Sequence, residues 1–237
     1  WGARLSRVQV VPNFPVTPQT EIIETLAGWN SQGLWKGTFL PVESEHSVLS
    51  AAVASSATGA RTFTGSSSQG LLLMHEIMYV ASGMRLPIVM MNVSRGVSAP
   101  ITLWPDHNDF LDQRDSGWLM FACERNQEIL DTVIQAFKVS EDVNVMLPSL
   151  VNLDGFILSY TREPTEIPDQ KKVDSFLPKL KPRVYLDPKK PMALGIGVMK
   201  EYSYFRSQVH LAQKNALGVI KDVQRSFGRK FGRRYSV

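Results

Sequence analysis

The hexapeptide "VESEHS", residues 42–47, sets Glu43, Glu45 and His46 directly before "VLSAAVASSA", a run of small and apolar residues. A helix with that body packs closely against neighbours on most sides. Two carboxylates and an imidazole at its entrance suit acid–base work, or the plainer role of negative charge beside a helix N-terminus. Three further polar stretches have the same setting. "PVTPQTE" (15–21), "TGSSSQG" (64–70) and "NVSRGVSAP" (92–100) each follow an apolar, β-branched run. In a parallel α/β sheet, ligands gather at the carboxyl ends of the strands, where helices begin. Four such loops, rich in hydroxyls and carrying a few charges, read together as one site. Taken singly, Thr17, Ser47 and Ser68 fit helix capping better.

Familiar catalytic signatures do not occur. The chain has no G-x-S-x-G elbow and no Walker loop, and "GIG" at 195–197 lacks the rest of a dinucleotide fingerprint. The four histidines are His46, His75, His107 and His210. The tetrapeptide "DHND" at 106–109 has no partners at ligand spacing and reads as a hydrogen-bonded loop.

The elements that must position these loops follow from the apolar pattern. Strands are expected at Val8–Val11, Phe39–Val42, Ala60–Thr64, Ile88–Val93, Leu119–Ala122 and Val145–Asn152. Helices are expected at Pro18–Gly28, Glu45–Thr58, Gly70–Ser82 and Gln127–Ser140. Thr17 is the expected cap of the first helix, with Pro18 at its first position. Short apolar strands separated by helices predict an α/β fold: a mostly parallel sheet with helices on both faces. The Met- and Leu-rich helix after Gly70 is expected in the core. Residues 162–191 are rich in proline and alternating charge and predict an extended excursion too proline-rich to form a core. Beyond them, Phe205, Val209, Ala212, Ala216, Val219, Val223 and Phe227 recur every three or four residues, which predicts a C-terminal arm with one amphipathic helix of about six turns. The expected organisation is therefore 1–161, a ligand-binding α/β domain; 162–199, a Pro-rich connection; and 200–237, an amphipathic helix with a basic tail.

Bulk properties narrow the classes. The chain has 237 residues, 43% of them hydrophobic, enough for one sizeable core. Net charge is +4, and residues 214–237 hold seven Lys or Arg against Asp222 alone. A nucleic-acid footprint usually involves more of the fold than its last two dozen residues, so no nucleic-acid partner is expected, and the basic tail is expected to reach an acidic partner surface. The single cysteine, Cys123, excludes an intrachain disulfide and an iron–sulfur cluster held by this chain alone. No apolar run reaches about 18 residues, so no membrane span is expected. The start "WGARLSRVQVV" is not a secretory signal, and cytoplasmic residence is the default expectation.

Six motifs then fall in order across residues 14–161: "FPVTPQTEI", "VESEHSVLSA", "GARTFTGSSSQGLLLMHE", "GMRLPIVMMNVSRGVSAP", "DHNDFLDQRDSGW" and "LPSLVNLDGFILSYT". Together with "EIPDQKKVDSFLP" and the closing helix they resemble the α subunit of 2-oxoacid:ferredoxin oxidoreductases of the pyruvate synthase type, over nearly the whole chain. The resemblance implies the pyrimidine-binding domain of a thiamine-diphosphate enzyme. In that family a carboxylate hydrogen-bonds the ring nitrogen N1′ and favours the imino tautomer, so that the cofactor's own 4′-imino group can take the C2 proton. Motif matching puts this carboxylate at Glu45, with Ser68 and Gln69 on the cofactor side. Glu43 keeps its plainer reading, as helix charge or a subunit contact. Thr17 and Arg95 match the positions that hold the substrate carboxylate, as a hydroxyl at a helix N-terminus and a guanidinium can. His46, Asp109 and Arg114 line the pocket or brace its loops.

The resemblance further implies oxidative decarboxylation of a 2-oxoacid, pyruvate first, with coenzyme A as acyl acceptor and ferredoxin as electron acceptor, in anaerobic metabolism. "LDG" at 153–155 is similar to the start of a metal–diphosphate motif, but no asparagine occurs between Asn152 and Asn215. Mg2+ and [4Fe–4S] clusters are therefore expected in partner subunits, and thiamine diphosphate is expected to be shared with one of them. Alternatives are a related complex acting on a branched-chain or aromatic 2-oxoacid, and a non-catalytic assembly subunit of the same fold. The joint presence of Thr17, Glu45 and Arg95 speaks against the latter. The family continues into another domain beyond "FGRRYSV", the rest being cleaved, separately encoded or omitted here.

Overall fold

A computed structural model describes residues 1–196 and 201–235. In chain order its elements are α1 (Gly2–Leu5), β1 (Val10–Asn13), α2 (Thr20–Ser31), β2 (Thr38–Pro41), α3 (Glu45–Ala57), β3 (Phe63–Ser66), α4 (Gln69–Leu73), α5 (His75–Gly83), β4 (Val89–Ser94), α6 (Asn108–Leu111), β5 (Leu119–Ala122), α7 (Asn126–Ser140), β6 (Ser149–Asp154), α8 (Ile157–Tyr160), α9 (Gln170–Phe176) and α10 (Tyr202–Phe231). The expected break between residues 199 and 200, and the last residue of "GIG", lie outside the described residues.

The strand ladders are parallel throughout. β1 pairs with β2, and the other four strands run in the order β3-β4-β6-β5. The two groups touch through one parallel bridge, Val10 to Thr62. The ladder stops there for a covalent reason. The Val10 N–H donates to the Arg61 carbonyl at 3.3 Å, and the next residue facing the same way is Pro12, which has no N–H. The side chain of Thr64 instead donates to the Pro12 carbonyl at 2.8 Å. The spatial order is thus β2-β1-β3-β4-β6-β5, and it reverses direction between β1 and β3. Such a reversal opens a crevice at the carboxyl ends of the strands.

Alternation along the central strands builds two cores. Val89, Met91 and Val93 of β4 face a cluster that includes Ile23 and Leu26 of α2 and Ile134 and Phe137 of α7. Ile88 and Met90 face Val48, Leu49 and Ala52 of α3 and Met78 of α5. Side chains two residues apart on a strand share a face, so one strand supplies both layers.

Several sequence expectations shift. β5 lies where expected, while β1, β3 and β6 begin two, three and four residues later. The expected helix Gly70–Ser82 is two helices that meet at Met74. The stretch expected to be extended contains α9, capped by Asp169, whose carboxylate accepts from the N–H groups of Lys171 and Lys172 at 2.9 and 3.3 Å. Val173, Phe176 and Leu177 are buried in the main core. A cap followed by apolar residues three and four apart outweighs the flanking prolines. The segment is further pinned by the buried Arg61, which donates to the Pro178 carbonyl at 2.8 Å.

α10 runs for 30 residues, about eight turns rather than six. It packs on α5, α7 and α9, with Val209, Ala212, Ala216, Val223 and Phe227 buried. The tail beyond it folds back on this chain. Arg233 Nε and Nη1 lie 2.6 and 2.8 Å from Asp131 and Glu166, and Tyr235 donates to Asp131 at 2.6 Å. That corrects the expectation of an acidic partner surface for these residues, because the acidic groups are the chain's own.

Phe227 locks this helix down. It is fully buried, stacks on Phe231 at 4.4 Å between ring centroids and meets Phe176 edge-on at 5.3 Å. Phe227→Ala is expected to destabilise the chain by about 3–5 kcal/mol in urea unfolding, as truncation of a buried aromatic does. A loss below about 1 kcal/mol would show that α10 is held elsewhere.

Candidate functional site

The crevice between β1 and β3 collects the polar loops. Gln19, at the end of the loop after β1, is fully buried, and its Nε2 donates across the crevice to the Gly65 carbonyl at 3.0 Å. This anchoring sets where α2 begins. The N-cap is Gln19, not Thr17, and it makes no side-chain cap bond. Thr17 is exposed and lies ahead of the helix, so its hydroxyl is not spent on capping.

Glu45 is the first residue of α3, whose cap is Ser44, accepting from the Ser47 N–H at 3.3 Å. Its half-buried side chain lies against the first turn of α4. A Cβ on Gly70 would stand 2.5 Å from Glu45 Oε1 and 2.5 Å from Ser66 Oγ. Only glycine leaves room there. Three elements, α3, β3 and α4, thus meet at one carboxylate. Glu43 behaves differently. It is fully exposed and accepts from the Ser47 hydroxyl at 2.5 Å, and that hydrogen bond holds its carboxyl below the usual range. It closes the helix entrance and takes no part in the crevice.

Unpartnered polar atoms concentrate at the same edge. Among the described residues, buried side-chain atoms without a hydrogen-bond partner include Gln19 Oε1, Ser66 Oγ, Ser67 Oγ, Asn92 Oδ1 and Arg95 Nε. Four of them belong to the carboxyl ends of β1, β3 and β4 or to the loops just beyond, Asn92 lies within β4, and Ser6, Ser56 and Gln135 carry such atoms elsewhere. Buried polar groups are rarely left unpaired. Their collection at a topological switch marks an edge shaped for a polar ligand.

Arg95 follows the last residue of β4, is half-buried, and makes no ion pair among the described residues. The loop bearing Thr17 approaches it closely. Gly155 fits between: its N–H donates to the Ser94 carbonyl at 2.6 Å, and a Cβ would collide with that carbonyl and come within 3.2 Å of Pro18 Cγ. Thr17 and Arg95 therefore flank a single junction of three loops.

The remaining expected residues divide. Ser68 is buried, and its one hydroxyl proton is shared between the Gly96 carbonyl at 2.8 Å and Gln69 Oε1 at 2.6 Å. Asp109 is buried beneath the loops and accepts from Ser68, Asn92 and Ser94. His46 turns to α5, with Nε2 3.7 Å from Glu76. Arg114 is exposed beside Asp115 at 3.8 Å and is not brought to the crevice. In "DHND", Asp106 accepts from the Asn108 N–H at 2.7 Å, as a local turn does. Burial pushes the Cys123 thiol up to about 12, so it stays protonated and inert.

Sequence reasoning missed Gln19, Ser66, Asn92 and Asn152. The asparagines left a trace: each interrupts an otherwise apolar strand, and a buried amide in such a strand needs a specific partner. Asn92 Nδ2 donates to Asn152 Oδ1 at 2.8 Å.

Comparison with known proteins adds independent findings. The family model described as "Pyruvate flavodoxin/ferredoxin oxidoreductase, thiamine diP-bdg" matches residues 2–225. The chain is 48% identical to pyruvate synthase subunit PorA of Methanothermobacter thermautotrophicus, over 100% of this chain and 62% of that protein. It is 48% identical to ketoisovalerate oxidoreductase subunit VorA of Pyrococcus abyssi, over 98% of this chain and 58% of that one. The chain thus spans about three fifths of the length of these curated relatives. In fold it is similar to 2-oxoglutarate:ferredoxin oxidoreductase from Magnetococcus marinus, with a TM-score of 0.72 at 17% identity, covering 92% of this chain and 43% of that one.

The seating of Glu45 is testable without any assay of activity. Gly70→Ala is expected to cost about 1–3 kcal/mol through overpacking. Gly83→Ala, a helix position with nothing within 4 Å of a new Cβ, is expected to be neutral or stabilising by up to about 1 kcal/mol. In a Glu45→Ala background the cost at Gly70 should shrink, as coupled neighbours require. Equal costs in both backgrounds would separate Gly70 from Glu45.

Proposed function

Because this chain belongs to the thiamine-diphosphate-binding family of pyruvate flavodoxin/ferredoxin oxidoreductases, we propose that it is part of the α subunit of a 2-oxoacid:ferredoxin oxidoreductase. The reaction is the CoA-dependent oxidative decarboxylation of a 2-oxoacid, pyruvate in the first instance. The observation that carries the reading is Glu45, seated on Gly70 at the strand-order reversal beside unpartnered Ser66 Oγ and near unpartnered Gln19 Oε1.

These residues fit an aminopyrimidine: a half-buried carboxylate able to share a proton, with a free acceptor and a free hydroxyl nearby. When bound, thiamine diphosphate supplies the electron sink that decarboxylation requires. Glu45 would hold the pyrimidine nitrogen by sharing a proton with it. Gln19 and Ser66 would orient the polar ring edge, and Ser68 and Gln69 would lie on the cofactor side. Arg95 and Thr17 bind the substrate carboxylate, the guanidinium by charge-assisted hydrogen bonds and the hydroxyl as a donor.

In this reading the diphosphate with its Mg2+, and the [4Fe–4S] clusters, belong to partner subunits. Ferredoxin takes the electrons, coenzyme A takes the acyl group, and the complex is cytoplasmic. A second substrate, a branched-chain 2-oxoacid, is favoured by one observation: the ketoisovalerate relative matches at the same 48% identity as the pyruvate relative.

Turnover by the purified complex, compared between pyruvate and ketoisovalerate with coenzyme A and ferredoxin, decides between the two substrates. Glu45→Gln should leave assembly intact and lower kcat by a factor on the order of 10² or more, since an amide cannot share the proton. Wild-type kcat in that variant would overturn the assignment. Arg95→Lys should raise KM for the oxo-acid about ten-fold, because lysine loses the planar fork. Unchanged kinetics would return Arg95 to a structural role.

A further inference from the structure

Asp109 is the second residue of α6 and has no solvent exposure. Among the described residues no lysine, arginine or histidine forms an ion pair with it. Four donors surround it instead. Oδ2 accepts from the Ser68 N–H at 2.8 Å and from Asn92 Nδ2 at 3.2 Å. Oδ1 accepts from the Phe110 N–H at 2.7 Å and from the Ser94 hydroxyl. Burying a carboxylate without a cation is costly unless donors replace the lost water. Here the donors are drawn from the β3–α4 loop, from β4 and from α6 itself.

The two serines place this carboxylate between the two halves of the site. Ser68 lies two residues before Gly70, the seat of Glu45, and has φ +51°, a left-handed backbone that a serine adopts only when its surroundings hold it. Asp109 holds its N–H, and the Ser68 hydroxyl in turn holds the Gly96 carbonyl at 2.8 Å. Ser94 directly precedes Arg95. Asp109 is itself anchored from behind: Gln113 Nε2 donates to its backbone carbonyl at 3.1 Å, and Gln113 Oε1 lies 2.7 Å from His75 Nδ1 on α5.

We infer that Asp109 is a positioning residue that fixes the loop beneath Glu45 and the strand end bearing Arg95 in one relative geometry, so that the cofactor held at Glu45 and the substrate carboxylate held at Arg95 are brought into register. The inference rests on the functional reading above. Small misplacements are expensive in such a site, since about 1 Å in a reacting group costs on the order of 10² in rate. Asp109 meets neither substrate nor cofactor. It acts through Ser68 and Ser94.

The test is Asp109→Asn in the assembled complex, with hydrogen exchange measured beside kinetics. The amide nitrogen faces donors, so hydrogen bonds on one side are lost while shape is kept. The expected result is a kcat about ten-fold lower, together with a KM for the oxo-acid several-fold higher. Amide exchange should accelerate at residues 67–70 and 94–96 and stay unchanged in β5. Ser94→Ala, which removes one donor of the four, should raise KM and speed exchange mainly at 94–96. It carries the test if Asp109→Asn does not assemble. Wild-type kinetics and exchange in the variants, or exchange that rises evenly across the whole sheet, would overturn the proposal. A wild-type complex without oxo-acid turnover would instead count against the functional reading, while the exchange pattern would still judge the role of Asp109.

Discussion

Pro12 has no N–H to offer β3, and the ladder between β1 and β3 ends at Val10 because of it. The strands stay side by side through substitutes, the Thr64 hydroxyl on the Pro12 carbonyl and the Gln19 amide on the Gly65 carbonyl. Those bonds are made by side chains, so the backbone edges part where the strand order reverses. All strand ladders are parallel, so the loops of β1, β2, β3 and β4 open at the same edge. Glu45, Thr17, Arg95 and the unpartnered atoms of Gln19 and Ser66 share a location for that reason.

Within the crevice, glycine decides how near the pieces come. Gly70 lets a carboxylate lie on a helix turn, and Gly155 lets the β6 loop close on the carbonyl before Arg95. Beneath them a buried network of Asp109, Asn92, Ser94 and Asn152 replaces an apolar floor. The Asp109 carboxylate at its centre accepts from four donors, and such bonds are strong in a low-dielectric interior, which holds loops whose own contacts are few. The same economy separates the two carboxylates of "VESEHS". Glu43 is satisfied by Ser47 and turned to water, while Glu45 is aimed inward.

Local pattern made the elements legible. The small-residue body of α3, the apolar runs of β4 and β6 and the stripe of α10 follow from periodicity alone, and β5 falls where its four residues predict. The errors have physical causes. Thr17 fits the rule for caps, but the helix start is set by Gln19 reaching a strand distant in sequence. Residues 162–191 look extended because prolines dominate the count, yet Asp169 and three apolar residues suffice for α9. The basic tail looked destined for a partner because Asp131, to which Arg233 binds, lies about a hundred residues away and inside a helix. In the site, motif resemblance proposes Glu45, Thr17 and Arg95, and the structure sets them at the carboxyl edge of the sheet. It does not propose Gln19 or Ser66, whose buried atoms without partners have no local signature.

In the proposed reading, one of two neighbouring carboxylates shares a proton with the cofactor ring and the other does not. The rate at which the C2 proton of thiamine diphosphate exchanges with solvent deuterium, followed by NMR in the assembled complex, reads that step without substrate turnover. Exchange slowed by a factor on the order of 10² or more is expected in Glu45→Gln, and wild-type exchange in Glu43→Gln. Wild-type exchange in Glu45→Gln, or a comparable loss in Glu43→Gln, would contradict it.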